Sequence, residues 1–211
     1  MLSKHKRAVF KMKKKWTEIS VVFGLLFSIV FSIVNFGNEC KNIRSDVLRL
    51  HILANSDSEE DQQVKLAVRD VLLNCGSNVF SGKINLEDAR QCLDLEKEML
   101  VTAANKVLAE NGFDYKARIY FAEEFFLTRT YEKYTLPAGN YLALKVILGE
   151  GNGHNWWCVM FPPLCIPAAS ENTDLNFFFD KNETHIIQSN PKYEIRFKII
   201  EILEEIMNKY I

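Results

Sequence analysis

Val47-Leu48-Arg49-Leu50-His51-Ile52-Leu53-Ala54-Asn55-Ser56-Asp57-Ser58-Glu59-Glu60-Asp61 contains a strand, a turn and the start of a helix. Leu48, Leu50 and Ile52 share one face of a strand, because side chains alternate with a period of two. His51 is read with these leucines as a core histidine holding one hydrogen bond. Asn55, Ser56, Asp57 and Ser58 are turn and cap residues. Ser58-Glu59-Glu60-Asp61 is a capping box with an acidic first turn, which suits the positive end of a helix dipole. The helix is expected to run to about Cys75, with Val64, Val68, Val71 and Cys75 as its buried stripe.

Downstream, Asn85 caps a longer helix with Leu86, Leu93, Leu100, Ala104 and Val107 inward, and Asn111-Gly112 stops it. Tyr115, Ala117, Ile119 and Phe121 then alternate with Lys116 and Arg118 as a half-buried strand. Phe125–Tyr131 is a further strand candidate. Leu136–Asn140 reads as a turn, and Leu142, Leu144, Val146 and Leu148 as the inner face of the next strand. Gly149-Glu150-Gly151-Asn152-Gly153 is a flexible turn and not a phosphate loop, since no helix pattern follows it. Asn155–Phe161 is apolar on both faces and is ended by Pro162-Pro163. Residues 166–190 are less regular. After Pro191 a last helix is expected with Ile195, Ile199, Ile202 and Ile206 inward and Glu201, Glu204 and Glu205 outward. A strand over Tyr193–Phe197 leading into that helix is the other reading. The order β-α-α-β-β-β-β-α gives an α+β domain, with helices packed on a mainly antiparallel sheet.

Upstream, residues 1–18 carry seven Lys/Arg against one acid, Glu18, and no charge occurs from Ile19 to Asn38. A charge at the bilayer centre costs about 2.5–3.5 kcal/mol, so such a run is the expected spanning solution. The chain therefore divides into a basic cytoplasmic leader (1–18), a signal or transmembrane segment (19–38) and an extracytoplasmic domain (39–211). A cleaved signal peptide and a retained anchor are both open. The missing small-x-small site and the length of the run favour the anchor. Asn38-Glu39 before Cys40 do not fit a lipobox. Beyond residue 18 there remain 19 basic and 26 acidic residues. That balance disfavours nucleic-acid binding, which needs a basic face.

Two segments carry candidate chemistry. In the first, His51 is a base and Asp57 its orienter, set against capping, which already explains Asn55, Ser56, Asp57 and Ser58. The second is Gly153-His154-Asn155-Trp156-Trp157-Cys158-Val159-Met160-Phe161-Pro162-Pro163-Leu164-Cys165. Cys158 with His51 or His154 makes a thiol nucleophile and base. His154, Cys158 and Cys165 make three zinc ligands. Cys158 and Cys165 make a disulfide over the two prolines. An oxidising compartment favours the disulfide. Cys75 and Cys92 read as core residues, and Cys40 as free near the membrane. Trp156, Trp157 and Phe161 serve either as core or as a rigid apolar contact surface.

Leu48–Ser58 and Gly149–Cys165 resemble the stage II sporulation protein R family. So do Arg129-Thr130-Tyr131, Leu136-Pro137-Ala138-Gly139 and Tyr141, in the same order and spacing. The likeness covers roughly residues 44–165, with the C-terminal helix fitting more loosely. The resemblance implies a protein made in the forespore and exported into the space between the forespore and mother-cell membranes. There it triggers a membrane-embedded aspartic protease that cleaves the precursor of sigma factor E. No catalytic residue, cofactor, metal or small-molecule substrate is implied. Trp156, Trp157, Phe161, Arg129 and Tyr131 are then the expected partner contacts. His51, Asn55, Asp57, His154 and Asn155 are motif residues. An extracytoplasmic hydrolase of cell wall or peptide, with Cys158 as nucleophile, is the alternative.

Overall fold

A computed structural model of the chain describes residues 2–80, 85–131, 134–165, 174–188 and 194–210. The boundary between two compact units falls between Glu39 and Cys40. The first unit lies within helix α1 (Leu2–Ser45), where Phe23, Phe27 and Phe31 stand exposed. A core helix would bury such rings. Among the described residues α1 is the one helix long and apolar enough to cross a membrane, as a signal or an anchor requires.

The second unit runs β1 (Leu48–Leu53), α2 (Glu59–Val79), α3 (Leu86–Leu95), α4 (Lys97–Glu110), β2 (Ala117–Phe126), β3 (Arg129–Thr130), β4 (Thr135–Leu136), β5 (Gly139–Leu148) and β6 (Asn155–Phe161). A 3₁₀ turn (Leu175–Phe177), α5 (Lys181–Gln188) and α6 (Glu194–Tyr210) follow. The larger sheet has the order β2-β5-β1-β6. Both outer pairings are antiparallel and the central pair, β1 with β5, is parallel. The domain is thus α+β with a mainly antiparallel sheet. Parallel neighbours need a crossover connection, and α2 to α4 lie on that route and cover one face of the sheet. Leu48, Leu50 and Ile52 meet Leu144, Val146 and Leu148 there, under Val68 and Leu72 of α2 and Leu100 and Leu108 of α4. Each such side chain contributes about 1.5–3 kcal/mol by leaving water.

Several boundaries differ from the sequence reading. Helix α2 continues past Cys75 to Val79 and buries Leu72, which lies on the Val64–Val68 stripe. The helix expected from Asn85 to Asn111 is two helices joined at Glu96. The break was hidden because the Leu86–Leu93–Leu100 spacing runs through it. β2 extends to Phe126, so the separate strand at Phe125 merges with it. Arg129–Thr130 instead pairs with Thr135–Leu136, which overlaps the expected turn at Leu136.

The last helix is rotated relative to expectation. Ile195 is 78% exposed and Ile202 and Ile206 are also exposed, whereas Phe197, Ile200 and Glu201 are buried. The reason is polar. Glu201 accepts a hydrogen bond from the Thr128 N–H at 3.0 Å, and Glu204 accepts one from Arg44 Nη2 at 2.7 Å. These bonds hold Glu201 and Glu204 inward, while Glu205 stays exposed as expected. Residues 195–197 are helical, so no strand starts there. Tyr193 and Pro191 lie outside the described residues.

Candidate functional site

Alternation along β1 places Arg49 and His51 on the sheet face opposite Leu48, Leu50 and Ile52. The reading of His51 as part of the leucine face is therefore corrected. An odd position cannot share a face with even ones in an unbroken strand. The same parity sends Lys145 and Tyr141 from β5, Glu124 and Phe126 from β2, and Trp157 from β6 to this second face. In register, Lys145 and Trp157 flank His51 on either side.

His51 Nδ1 lies 2.5 Å from Glu124 Oε2, and Lys145 donates to Glu124 Oε1. Glu124 reaches both across the row occupied by the paired Ala122 and Ala143, whose small side chains leave room. Burial raises the Glu124 carboxyl, but hydrogen bonds from Lys145 and His51 and their charges outweigh it and hold it below the usual range. An ionised carboxylate only accepts, so Nδ1 of His51 carries the proton. Nε2 of His51 is buried without a hydrogen-bond partner among the described residues.

The His51 ring stacks on Trp157, with centroids 5.6 Å apart and planes inclined by 23°. On that indole lies the exposed Arg129, its guanidinium carbon 5.8 Å from the ring centroid. Beside this stack, Arg49 is fully buried. Its guanidinium carbon is 4.4 Å from the Phe126 centroid and 5.1 Å from that of Tyr141. Arg49 Nη2 donates to the Tyr131 hydroxyl at 3.1 Å. Burial raises the Tyr131 phenol, while Arg49 and Arg129 oppose the rise. One sheet face thus carries two cations against aromatic rings and a paired carboxylate. It offers hydrogen bonding and cation–π contact around a half-buried indole.

Of the expected contact residues, Arg129, Tyr131 and Trp157 come together here with His51. Trp156 faces the helices, where Arg69 covers its ring at 4.5 Å. Phe161 is withdrawn from any surface. It is 1% exposed and meets Phe80 and Phe178 edge-on, so it belongs to the core. Arg49, Glu124 and Lys145 were not singled out from the sequence. For Arg49 and Lys145 the signal was available in the charges that alternate with leucines in β1 and β5; Glu124, in β2, had none of that kind.

Asn55, Asp57, His154 and Asn155 lie at the end of the parallel pair, where two turns interlock. Asn55 Oδ1 accepts the Glu150 N–H, and the Gly153 N–H donates to the Ala54 carbonyl at 2.9 Å. Asp57 accepts from the backbone N–H of His154 at 2.6 Å and also pairs with its Nδ1. Asn155 pairs with Leu53 as the first residue of β6. Asp57 is therefore far from an orienter of His51, whose Nδ1 is held by Glu124. Ser58 caps α2, accepting the Asp61 N–H at 3.2 Å. Asp61 is itself the hub of the turn, accepting from Asn55, Ser56 and Tyr115. Burial raises its carboxyl, but these hydrogen bonds outweigh it and hold it low.

Cys158 and Cys165 are joined as a disulfide, and Cys158 is buried. Cys75 and Cys92 are half-buried and Cys40 is buried.

The fold and this face define an α+β domain with an aromatic–cationic face, preceded by a helix long and apolar enough to cross a membrane. The profile of the stage II sporulation protein R family matches residues 44–171, more than half of the chain. The chain belongs to that family. The stage II sporulation protein R of Bacillus subtilis (strain 168) is 36% identical over 123 residues, 58% of this chain and 55% of that protein. The match spans about half the length of that curated relative. No solved structure matches the chain.

Proposed function

We propose that the chain is an exported sporulation signal that activates a membrane-embedded aspartic protease of the mother cell, leading to cleavage of the sigma factor E precursor. Family membership supports the sporulation role. The observation that carries the contact surface is the convergence of Trp157, Arg129 and Tyr131 on one sheet face with His51. A half-buried tryptophan beside arginines is the composition of an interface hot spot. Activation then works by differential affinity: the surface binds the protease better in its active arrangement. The apolar α1 supplies export into the space between the two membranes. In this reading the protein is not an enzyme.

The test is co-expression of this chain with the protease and the precursor. Trp157→Ala with Arg129→Ala is expected to lower precursor cleavage at least tenfold while the melting temperature stays within a few degrees. Full cleavage by the double variant would overturn the assignment of this face. The alternative, a thiol-dependent hydrolase, requires a free Cys158, and the bond to Cys165 weighs against it.

A further inference from the structure

Helix α6 is amphipathic in the inverted sense. Phe197, Ile200, Glu201 and Glu204 recur at intervals of three, one and three residues and face the domain. Ile195, Ile202, Leu203, Ile206, Met207 and Tyr210 are exposed, and at 100° per residue most of them fall on the opposite side. A helix on the surface of a soluble domain ordinarily presents polar residues there. Rolling the isoleucines inward would break two part-buried carboxylate contacts, Glu201 with Thr128 and Glu204 with Arg44. Burial raises the Glu201 carboxyl, but the bonds from Lys198 and Thr128 outweigh it, so it stays charged and the rotation is locked.

We infer that the outward face of α6 docks on the surface of a phospholipid bilayer. The occupant follows from the chain. Arg44, which holds Glu204, is six residues beyond Asn38, the last residue of the uncharged run. The residue that fixes α6 thus follows closely on the uncharged run in sequence. Lys209 is exposed beside the stripe, placed to reach headgroups while the isoleucines enter the acyl boundary; Lys198 is held by Glu201. A second copy is a poorer occupant. A helix of 17 residues is about 25 Å long, and a stripe roughly 10 Å wide offers a few hundred Å². A standard interface takes about 800 Å² from each partner. The inference does not depend on the protease reading.

The experiment uses the full chain reconstituted in vesicles of equal parts phosphatidylethanolamine and phosphatidylglycerol. A photoreactive benzoylphenylalanine replaces Ile202 in one variant, Ile206 in a second and the 84%-exposed Leu95 in a third. After irradiation, lipid adducts are quantified by mass. Both α6 sites are expected to give at least fivefold more lipid adduct than position 95. Lipid adduct no higher than at position 95 would overturn the inference. So would a predominant chain–chain adduct, which would assign the face to a second copy. The label at position 95 corrects for insertion through α1, and all three sites are exposed, so the labels leave the core intact.

Discussion

The Glu124 carboxylate bridges His51 and Lys145 across the face opposite the helices, with His51 Nδ1 at 2.5 Å from Oε2. It holds the imidazole flat against Trp157, the indole that carries the proposed contact. Glu124→Gln leaves Lys145 without its ionic partner in a half-buried site. The change is expected to cost about 1–3 kcal/mol in urea unfolding. Cleavage of the precursor should fall as well, because the Trp157 ring loses its support. Unchanged stability and signalling would show that the carboxylate does not position the stack.

Arg49 is a fully buried cation whose hydrogen bond goes to the Tyr131 hydroxyl and not to a carboxylate. Its Nε and Nη1 have no hydrogen-bond partner there. Desolvation of a charge costs several kcal/mol, and contact with rings returns about 2 kcal/mol or more when desolvated. Arg49→Met keeps most of the volume and removes the charge. Stability is expected to stay the same or rise, read as the urea midpoint. A loss above about 2 kcal/mol would mean that the rings of Phe126 and Tyr141 outweigh the desolvation.

The sheet was legible because apolar alternation in β1, β2 and β5 is strong and turn residues bound each strand. The motif residues Asn55 and Asp57 were legible as turn and cap residues for the same reason. The proposed contact face was only half legible. Trp157, Arg129 and Tyr131 were visible as residue types, but their gathering depends on the β1–β6 register and the β3–β4 hairpin, which are long-range. The side of His51 was masked because β1 is buried on both faces, so burial alone does not separate odd from even positions. The face of α6 was misread because isoleucine spacing defines a stripe but not which way it points. The ion pair from Arg44, 160 residues away, decides that.

Asp61 predicts the response to acid. Its folded pKa is depressed, so its contribution to stability is present above the unfolded value of about 4 and is lost as pH falls through the folded value. The wild-type chain should lose stability progressively below about pH 4. Asp61→Asn should destabilise at pH 7 and flatten that part of the profile. Parallel pH profiles for the two proteins would show that the hub is not held by charge.

Gly153 tests the interlocked turns. A Cβ added there would stand 2.1 Å from the Ser56 carbonyl oxygen, a backbone atom that cannot swing away. Gly153→Ala is expected to cost about 1–3 kcal/mol. Alanine at the exposed Asn152 should cost less than about 0.5 kcal/mol by comparison. Equal small effects at both positions would mean that the two turns separate readily.

The bridge between Cys158 and Cys165 separates the two readings of the tryptophan-rich segment. It closes a loop of seven residues' separation, for which chain entropy gives about 2–3 kcal/mol. Cys158→Ser and Cys165→Ser should therefore lower stability by similar amounts and impair signalling alike. Mass measurement of the exported chain before and after reduction should show two thiols that take up alkylating reagent only once reduced. A Cys158 that labels without reduction, with activity lost in Cys158→Ser and retained in Cys165→Ser, would instead identify a nucleophile. In that case the chemistry would sit on the helix-covered face with Leu50 and Trp156, across the sheet from His51 and Trp157, and the protein would not act by contact through Trp157.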